Sequence, residues 1–400
     1  MEKASIKWVM NTMPATDDKW LDTMSTEKVD KVRAFHRSFP QYRETPLVSL
    51  SRKAKTLGLR ALYVKDESYR FGLNAFKVLG GSFAMASAIA KILGRDVSQT
   101  DYAYLTGERL RAEFGQATFF TATDGNHGRG VAWSARMLGQ KAVVLMPRGT
   151  VPSRFDNIAK EGAQVTIEEA NYDECVCRAC HLAGKTERGI VVQDTAWEGY
   201  EEIPCFIMQG YGTMAQEAAQ QLKACGDDRP THVFIQAGVG SLAGAIAGYY
   251  ANLYGVNCPT IVVMEADAAD CHFRSAQAGD GGMRIVTGDL NTMMAGLACG
   301  EPNPISFDIL KNHAACFVSC PDWVSAEGMR ALARPQEGDE RIVSGESGAI
   351  GTGLVSAIMT DPAYAQLKDA LGLDEKSVVL LFSTEGDTDP DNYRAIVDKS

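Results

Sequence analysis

Short, continuous apolar runs constrain the fold of this 400-residue chain more than any other feature. The runs are rich in Val, Ile and Phe, and they lie at 62–64, 118–121, 142–146, 190–192, 233–235, 261–264 and 378–382. Because they are continuous rather than alternating, they predict strands that are buried on both faces of a parallel sheet. Alanine-rich segments of helical length lie between them, at 81–93, 128–138 and 243–254. This order of elements predicts an α/β fold.

The length predicts two or three domains. A polar helical stretch near 195–230 separates two series of strands and helices. We therefore expect two α/β domains, each containing a parallel sheet. The smaller spans about residues 90–200 and is inserted in a larger one formed by 1–89 and 201–400.

Charge and composition exclude several classes of function. The chain has 50 acidic and 40 basic residues, a net charge of −10, and no long basic stripe, which argues against nucleic-acid binding. No stretch of about 18 apolar residues predicts a membrane span, and the N-terminal segment is too charged for a signal peptide. Ten cysteines in so long a chain are typical of reduced thiols. We expect a soluble, cytoplasmic protein.

Lys77 is the first candidate catalytic residue. It follows a polar loop and opens an apolar helix rich in glycine and alanine. We expect burial to lower the pKa of its amine, which would leave the amine neutral and nucleophilic toward a carbonyl. For an isolated lysine, the alternative is a partly exposed side chain at a helix start.

Two turns between a strand and a helix are candidate anion sites. The segment 122–128 reads Ala-Thr-Asp-Gly-Asn-His-Gly, and its backbone N–H groups would suit a carboxylate or a phosphate. Asp124 is unusual there, because an anion beside an anion site needs a positive partner or a catalytic task. The second turn, 235–244, is rich in glycine and would suit a phosphate. It also fits a dinucleotide-binding pattern through Gly238, Gly240 and Ala243, with Glu265 ending the next strand.

Two further segments offer polar side chains. The strand at 378–382 ends in Ser383 and Thr384, whose hydroxyls can bond to an aromatic nitrogen. Cys177, Cys180 and His181 form a C-x-x-C-H pattern that could hold zinc or haem. A helix with thiols packed against the sheet explains that pattern better, so we expect no metal.

Taken in order, these segments resemble the tryptophan synthase β and threonine dehydratase family of pyridoxal-phosphate enzymes, of fold type II. The resemblance spans 45–389. Three strings, at 122–128, 193–200 and 296–304, resemble the diaminopropionate ammonia-lyases more narrowly. The resemblance implies a homodimer that binds pyridoxal 5'-phosphate in the cleft between its two domains and acts on a small amino acid.

The resemblance also implies roles for individual residues. Lys77 matches the lysine that binds the cofactor covalently, and Asn126 the asparagine beside its 3-hydroxyl group. Ser383, or Thr384 in its place, matches the partner of the pyridine nitrogen. The phosphate loop corresponds to Gly238, Val239, Gly240, Ser241 and Leu242. The turn for the substrate carboxylate corresponds to Thr123, Asp124, Gly125, Asn126 and His127.

The implied reaction is the elimination of ammonia from D- and L-2,3-diaminopropionate, which gives pyruvate and a second ammonia. We expect Lys77 to be the base for the L-isomer and Asp124 the base for the D-isomer, since one base on each face handles both enantiomers. The resemblance implies that Asp194 binds or protonates the leaving amine. Cys271 and Cys299 are candidates for a disulfide.

Three alternatives remain open from the sequence. A serine/threonine dehydratase or a sulfur-amino-acid lyase would share the fold and the cofactor. An NAD(P)-dependent oxidoreductase would use the Gly238 loop and Glu265 but would leave Lys77 without a role. A cofactor-free binding protein of the same fold would have no need of Lys77 or the glycine loop.

Overall fold

Strands and helices alternate along residues 4–123 and 125–399, which are the residues that the structure, a computed structural model, describes. The strands are β1 Lys7–Met10, β2 Leu47–Ser49, β3 Ala61–Asp66, β4 Thr118–Ala122, β5 Lys141–Met146, β6 Gln164–Ile167, β7 Gly189–Val191, β8 His232–Gln236, β9 Thr260–Ala266, β10 Cys316–Cys320 and β11 Val378–Ser383. The helices are α1 Thr26–Arg37, α2 Ser51–Leu57, α3 Val78–Ile92, α4 Tyr102–Thr106, α5 Glu108–Glu113, α6 Asn126–Met137, α7 Pro152–Ala159, α8 Tyr172–Lys185, α9 Glu202–Ala224, α10 Ser241–Tyr254, α11 Cys271–Ala278, α12 Pro304–His313, α13 Asp322–Ala333, α14 Glu346–Thr360, α15 Ala365–Leu371 and α16 Pro390–Val397.

The chain divides into two compact units, each built on one sheet. The seven-stranded unit contains the residues up to Thr26, Glu44–Asn74 and the residues from Met214 onward. The four-stranded unit contains Glu27–Arg43 and Ala75–Thr213. The domain boundaries inferred from the sequence, after residues 89 and 200, stay a prediction.

The larger sheet has the strand order β1-β10-β9-β8-β11-β3-β2. Its five inner strands are parallel, and β1 and β2 pair antiparallel at the two edges. Strand β11 lies between β8 and β3, with Leu380 beside both Val233 and Tyr63. All six residues of β11 are buried, as expected of a strand covered on both faces.

The smaller sheet is parallel throughout, in the order β6-β5-β4-β7. Its central strand, β4, ends at Ala122, immediately before the predicted substrate turn. The carboxyl ends of parallel strands in an open α/β sheet are where ligands bind, so the topology directs this turn toward a binding role.

The α/β class predicted from the sequence is confirmed. Six of the seven apolar runs lie within a strand, and the run at 190–192 extends one residue beyond β7. The pattern missed β1, β2, β6 and β10. The first three are short or only partly buried, so they lack a continuous apolar run. Strand β10 is fully buried but alternates cysteine and serine with its apolar residues. None of the described helices is long and apolar enough to cross a membrane.

Candidate active site

Lys77 lies at the start of α3, where two other helices approach closely. A Cβ atom on Gly130 of α6 would lie 2.9 Å from the backbone nitrogen of Val78. A Cβ atom on Gly210 of α9 would lie 2.4 Å from the carbonyl oxygen of Leu79. Only glycine fits at both positions, so the backbone next to Lys77 is held on two sides.

The side chain of Lys77 forms an ion pair with Asp194, which follows β7. The distance from Nζ to Oδ2 is 2.5 Å, and the Asp194 side chain is only 9% exposed. His127 places Nδ1 3.7 Å from the same oxygen, and its Nε2 lies 2.9 Å from the carbonyl oxygen of Val192. The Asp194 carboxylate therefore brings together three parts of this unit, namely the turn after β7 and the N-termini of α3 and α6.

Two opposing effects determine the pKa of Asp194. Burial by itself would raise its pKa, but the Lys77 ammonium and His127 hold the pKa well below its ordinary value. Asp194 is therefore a carboxylate. The expectation that the pKa of the Lys77 amine is lowered stays a prediction, and its Nζ lies beside the Asp194 carboxylate rather than in wholly apolar surroundings.

The predicted turn between β4 and α6 is organised by Thr123. Its Oγ1 accepts hydrogen bonds from the backbone nitrogens of Gly125, at 3.0 Å, and of Gly128, at 3.2 Å. Asn126 is the first residue of α6, as the sequence indicated for a turn that leads into a helix. Asp124 lies outside the described residues.

Gln193 joins this turn to Asp194, and no separate role for Gln193 was predicted from the sequence. Its Oε1 accepts from the hydroxyl of Thr121 and the backbone nitrogen of Ala122, and its Nε2 donates to the Ala122 carbonyl. Nε2 also donates to the hydroxyl of Tyr172, at 2.5 Å. Gln193 thereby fixes the end of β7 against the end of β4. The only signal in the sequence was that Gln193 precedes Asp194.

The glycine loop belongs to the seven-stranded unit and leads into α10. Gly240 adopts a left-handed conformation, with φ of +96°. The nitrogen of Gly244 makes the first helical bond, to the Gly240 carbonyl, so the N–H groups of Ser241, Leu242 and Ala243 precede the helical ladder. Such a helix start suits a phosphate.

Polar side chains support this loop from α12. Asn303 donates from Nδ2 to the Ser241 hydroxyl at 2.8 Å, and its backbone nitrogen donates to the Val239 carbonyl at 2.7 Å. Both Asn303 and Ser306 are fully buried. On the other side, a Cβ atom on Gly238 would lie 3.2 Å from the Gly296 carbonyl and 3.3 Å from Sγ of Cys299.

Ser383 and Thr384, at the end of β11, are both buried. The Ser383 hydroxyl donates to the hydroxyl of Ser344 at 2.8 Å. Thr384 accepts at Oγ1 from Nε2 of Gln236 at 2.9 Å. Each hydroxyl is therefore held in place by one neighbour.

Similarity to known proteins identifies the family of this chain. Residues 39–384 match the family model described as pyridoxal-phosphate-dependent enzyme. The diaminopropionate ammonia-lyase of Salmonella typhimurium is 49% identical over 368 residues, which cover 92% of this chain and 91% of the relative. The chain belongs to the diaminopropionate ammonia-lyase family of pyridoxal-phosphate-dependent enzymes.

Other members and more distant structures agree with this assignment. The diaminopropionate ammonia-lyase of Escherichia coli K12 is 46% identical over 93% of this chain and 92% of its own. The crystal structure of the holo enzyme from Escherichia coli has a TM-score of 0.89 and 43% identity, covering 98% of this chain and 96% of that chain. A tomato threonine deaminase, at 18% identity and a TM-score of 0.70, shares the fold.

The residues present fit the cofactor of this family, pyridoxal 5'-phosphate. A Cβ atom on Gly238 or Gly240 would meet neighbouring protein atoms at 3.2 Å or less, so the close packing of this loop requires glycine at both positions. Lys77 supplies the amine, and Ser383 and Thr384 supply hydroxyls. Two buried carboxyls that were not expected from the sequence, Glu346 and Glu385, lie close to Ser347.

Glu346 and Glu385 influence each other electrostatically. Glu346 is the first residue of α14, and Glu385 follows β11 by two positions. Burial, with a further contribution from the negative charge of Glu385, raises the pKa of Glu346 to about 7. Oε1 of Glu385 accepts from the backbone nitrogen of Ser347 at 3.1 Å.

The structure also decides between alternatives left open by the sequence. Glu265 is fully buried, and its two carboxylate oxygens accept from the backbone nitrogens of His272 and Phe273 at 2.9 and 2.7 Å. It is therefore not the accessible acid that a nicotinamide nucleotide requires. Cys271 and Cys299 are not joined by a disulfide. The C-x-x-C-H pattern lies in α8, where Cys177 is exposed and Cys180 is partly buried.

Proposed function

We propose that this chain eliminates ammonia from 2,3-diaminopropionate, in both its D and L forms, and releases pyruvate. In the net reaction, diaminopropionate and one water give pyruvate and two ammonia molecules. The Cα–H and Cβ–N bonds break first, and water later replaces the α-nitrogen. The ion pair between Lys77 and Asp194, at 2.5 Å, is the observation that carries the proposal, because it places an amine and an ammonium-binding carboxylate together.

When bound, pyridoxal 5'-phosphate supplies an electron sink for the electron pair left at Cα. Lys77 would hold the cofactor covalently through Nζ, and the same amine would take the Cα proton of the L-isomer. Asp124 takes the Cα proton of the D-isomer at its carboxylate. This assignment of Asp124 rests on its place in the sequence.

Asp194 binds the β-ammonium group of the substrate. A carboxylate whose pKa is held below its ordinary value attracts a cation but has no proton to give. We therefore prefer the binding role for Asp194 over the alternative role of proton donor. His127 orients Asp194, since its ring contacts both the Val192 carbonyl and the Asp194 carboxylate.

The remaining residues bind and orient. Asn126 would bond to the 3-hydroxyl group of the cofactor, and Ser383, or Thr384 in its place, would bond to the pyridine nitrogen. The substrate carboxylate binds at the turn that Thr123 organises, which includes Gly125 and His127. The cofactor phosphate binds the loop formed by Gly238, Val239, Gly240, Ser241 and Leu242.

An absorption experiment tests this function. The purified protein is incubated with pyridoxal 5'-phosphate, and its visible spectrum is recorded before and after adding D- or L-diaminopropionate. We expect a band that shifts on addition while pyruvate appears. Pyruvate released faster from D- or L-serine than from diaminopropionate would instead indicate a dehydratase, and a colourless protein would refute the cofactor.

A pair of lysine variants makes the test specific. Lys77→Ala should abolish covalent attachment of the cofactor, which is measured by mass spectrometry after borohydride reduction. The matched control is Lys91→Ala on the same helix, where the lysine is 63% exposed and paired with Glu202. Attachment that survives in Lys77→Ala would overturn the assignment.

We also propose that the protein is a cytoplasmic homodimer. The neighbouring apolar side chains Met283 and Ile285 are 43% and 59% exposed, which supports an interface with another chain. Light scattering measures the mass in solution, and a monomer would contradict the proposal.

A further inference from the structure

His272 is fully buried and lies against the glycine loop. It is the second residue of α11, which follows β9 in the seven-stranded unit. A Cβ atom on Gly240 would lie only 2.5 Å from Nε2 of His272 and 2.8 Å from the hydroxyl of Ser306. The imidazole therefore occupies the space into which a side chain at position 240 would extend.

Glu265 holds this imidazole through its other nitrogen. Nδ1 of His272 lies 2.9 Å from Oε1 of Glu265, whose carboxylate also accepts from the backbone nitrogens of His272 and Phe273. An ionised carboxylate only accepts hydrogen bonds, so Nδ1 must be the donor. The ring is thus fixed in one orientation, with Nε2 toward Gly240.

Nε2 has no hydrogen-bond partner within the part of the chain that the structure describes. A buried polar atom without a partner is unfavourable, and such atoms commonly mark a place where a water, an ion or a ligand binds. The nearest feature that attracts a ligand is the loop of Gly240, at the N-terminus of a 14-residue helix.

A bound metal ion does not explain the unpaired Nε2 of His272. Glu265, Cys271 and His272 could each offer one ligand atom, and these atoms lie within 4.8 Å of one another. However, the Glu265 carboxylate already accepts three N–H donors, and Nδ1 of His272 is one of them. Burial and the Glu265 charge also raise the pKa of the Cys271 thiol, which keeps the thiol protonated.

We propose that His272 is a ligand of the anion bound by the glycine loop: Glu265 anchors the ring through Nδ1, and Nε2–H donates to the phosphate group, directly or through one water. The proposed contact gives the loop a side-chain N–H donor in addition to its backbone and hydroxyl donors, while Nδ1 stays on Glu265. The inference rests on the proposed binding of pyridoxal 5'-phosphate.

Two amide variants separate the two ring nitrogens. In His272→Asn the amide nitrogen can replace Nδ1 and still donate to Glu265, but nothing replaces Nε2. In His272→Gln the longer side chain carries its amide toward the position of Nε2. Dissociation constants are measured for pyridoxal 5'-phosphate and for pyridoxal, which lacks the phosphate. A hydrogen bond to a charged group corresponds to about a tenfold or greater change in affinity.

We expect His272→Asn to weaken the binding of pyridoxal 5'-phosphate about tenfold and to leave pyridoxal binding unchanged. His272→Gln should recover much of the loss. Equal affinities in the parent and both variants, or equal weakening toward both ligands, would overturn the inference. If the parent itself binds no pyridoxal 5'-phosphate and shows no visible band, the proposed function and this inference both fail.

A crystal structure of the parent with pyridoxal 5'-phosphate bound tests the contact without a variant, in case His272→Asn does not fold. Nε2 within hydrogen-bond distance of a phosphate oxygen, or of a single water bonded to that oxygen, supports the inference. Nε2 bonded only to protein atoms, with a bound phosphate elsewhere, refutes it.

Discussion

The amine of Lys77 and the carboxylate of Asp194 lie 2.5 Å apart although 117 positions separate them in the chain. If Asp194 binds the substrate's β-ammonium group, Asp194→Asn removes the attraction while keeping the size of the side chain. We expect kcat/KM to fall about 10- to 100-fold, mainly through KM, because one charged hydrogen bond is lost. Steady-state kinetics measure this.

The control for Asp194→Asn is Asp280→Asn, which removes a carboxylate that is 57% exposed and pairs with Arg284. It should leave both constants unchanged. A fall in kcat at constant KM in Asp194→Asn would instead show that Asp194 supplies a proton during the reaction.

Asp124→Asn should impair turnover of D-diaminopropionate selectively. A positioned base contributes about 10²- to 10⁴-fold in rate, so we expect a loss of that size for the D-isomer and little change for the L-isomer. Initial rates on the two pure enantiomers provide the comparison, with the exposed Asp156→Asn on α7 as the control. Equal losses on both isomers would rule out two separate bases.

Gly240→Ala should destabilise the protein and weaken cofactor binding. A left-handed conformation costs a non-glycine residue about 1–2 kcal/mol, and here the new methyl group would also meet His272. Gly226→Ala isolates the first effect, since Gly226 has φ of +91° and no atom within 4 Å of its Cβ position. Urea unfolding should show a larger loss for Gly240→Ala than for Gly226→Ala. Equal losses would show that the contact with His272 carries no cost.

Glu346 should make stability depend on pH. Its pKa of about 7 exceeds the ordinary value of 4.5, so the folded protein keeps a proton that the unfolded chain has released. The free energy of unfolding therefore decreases as pH rises between these values, by about 3 kcal/mol in total. Glu346→Gln, which carries no titrating proton, should lack this contribution.

The measurement for Glu346 is urea unfolding at about pH 5 and pH 8. The free energy of unfolding of Glu346→Gln minus that of the parent should therefore be larger at pH 8 than at pH 5. The exposed Glu375→Gln serves as the control and should follow the parent at both values. A parallel pH dependence of the parent and Glu346→Gln would exclude Glu346 as the titrating group.

Local patterns predicted the strands well because burial on both faces leaves a continuous apolar run. The helix starts were harder to place. Helices α3, α6 and α10 begin at 78, 126 and 241, two or three residues before the predicted positions. Each begins at or beside glycines or polar residues, which obscure the helical pattern but form the site itself.

Contacts between distant segments could not be predicted from one sequence. Nothing near Lys77 indicates that Asp194 neutralises it, and nothing near Gly240 indicates that His272 fills the space beside it. From the sequence, His272 was interpreted as a surface or packing residue, because a single histidine has no distinguishing pattern around it. The role proposed for His272 depends on its contact with Glu265 and on its unpaired Nε2, and both are visible only in the folded chain.

The position of β11 has a consequence for synthesis. It is the last strand that the structure describes along the chain, yet it pairs with β8 and β3 in the interior of the sheet. During translation, β3 and β8 leave the ribosome long before the strand that joins them. The nascent chain therefore has to hold two half-sheets with unpaired edges until residue 383 emerges, and such edges attract other strands. A chain that ends before residue 378 would lack the strand that joins β8 to β3.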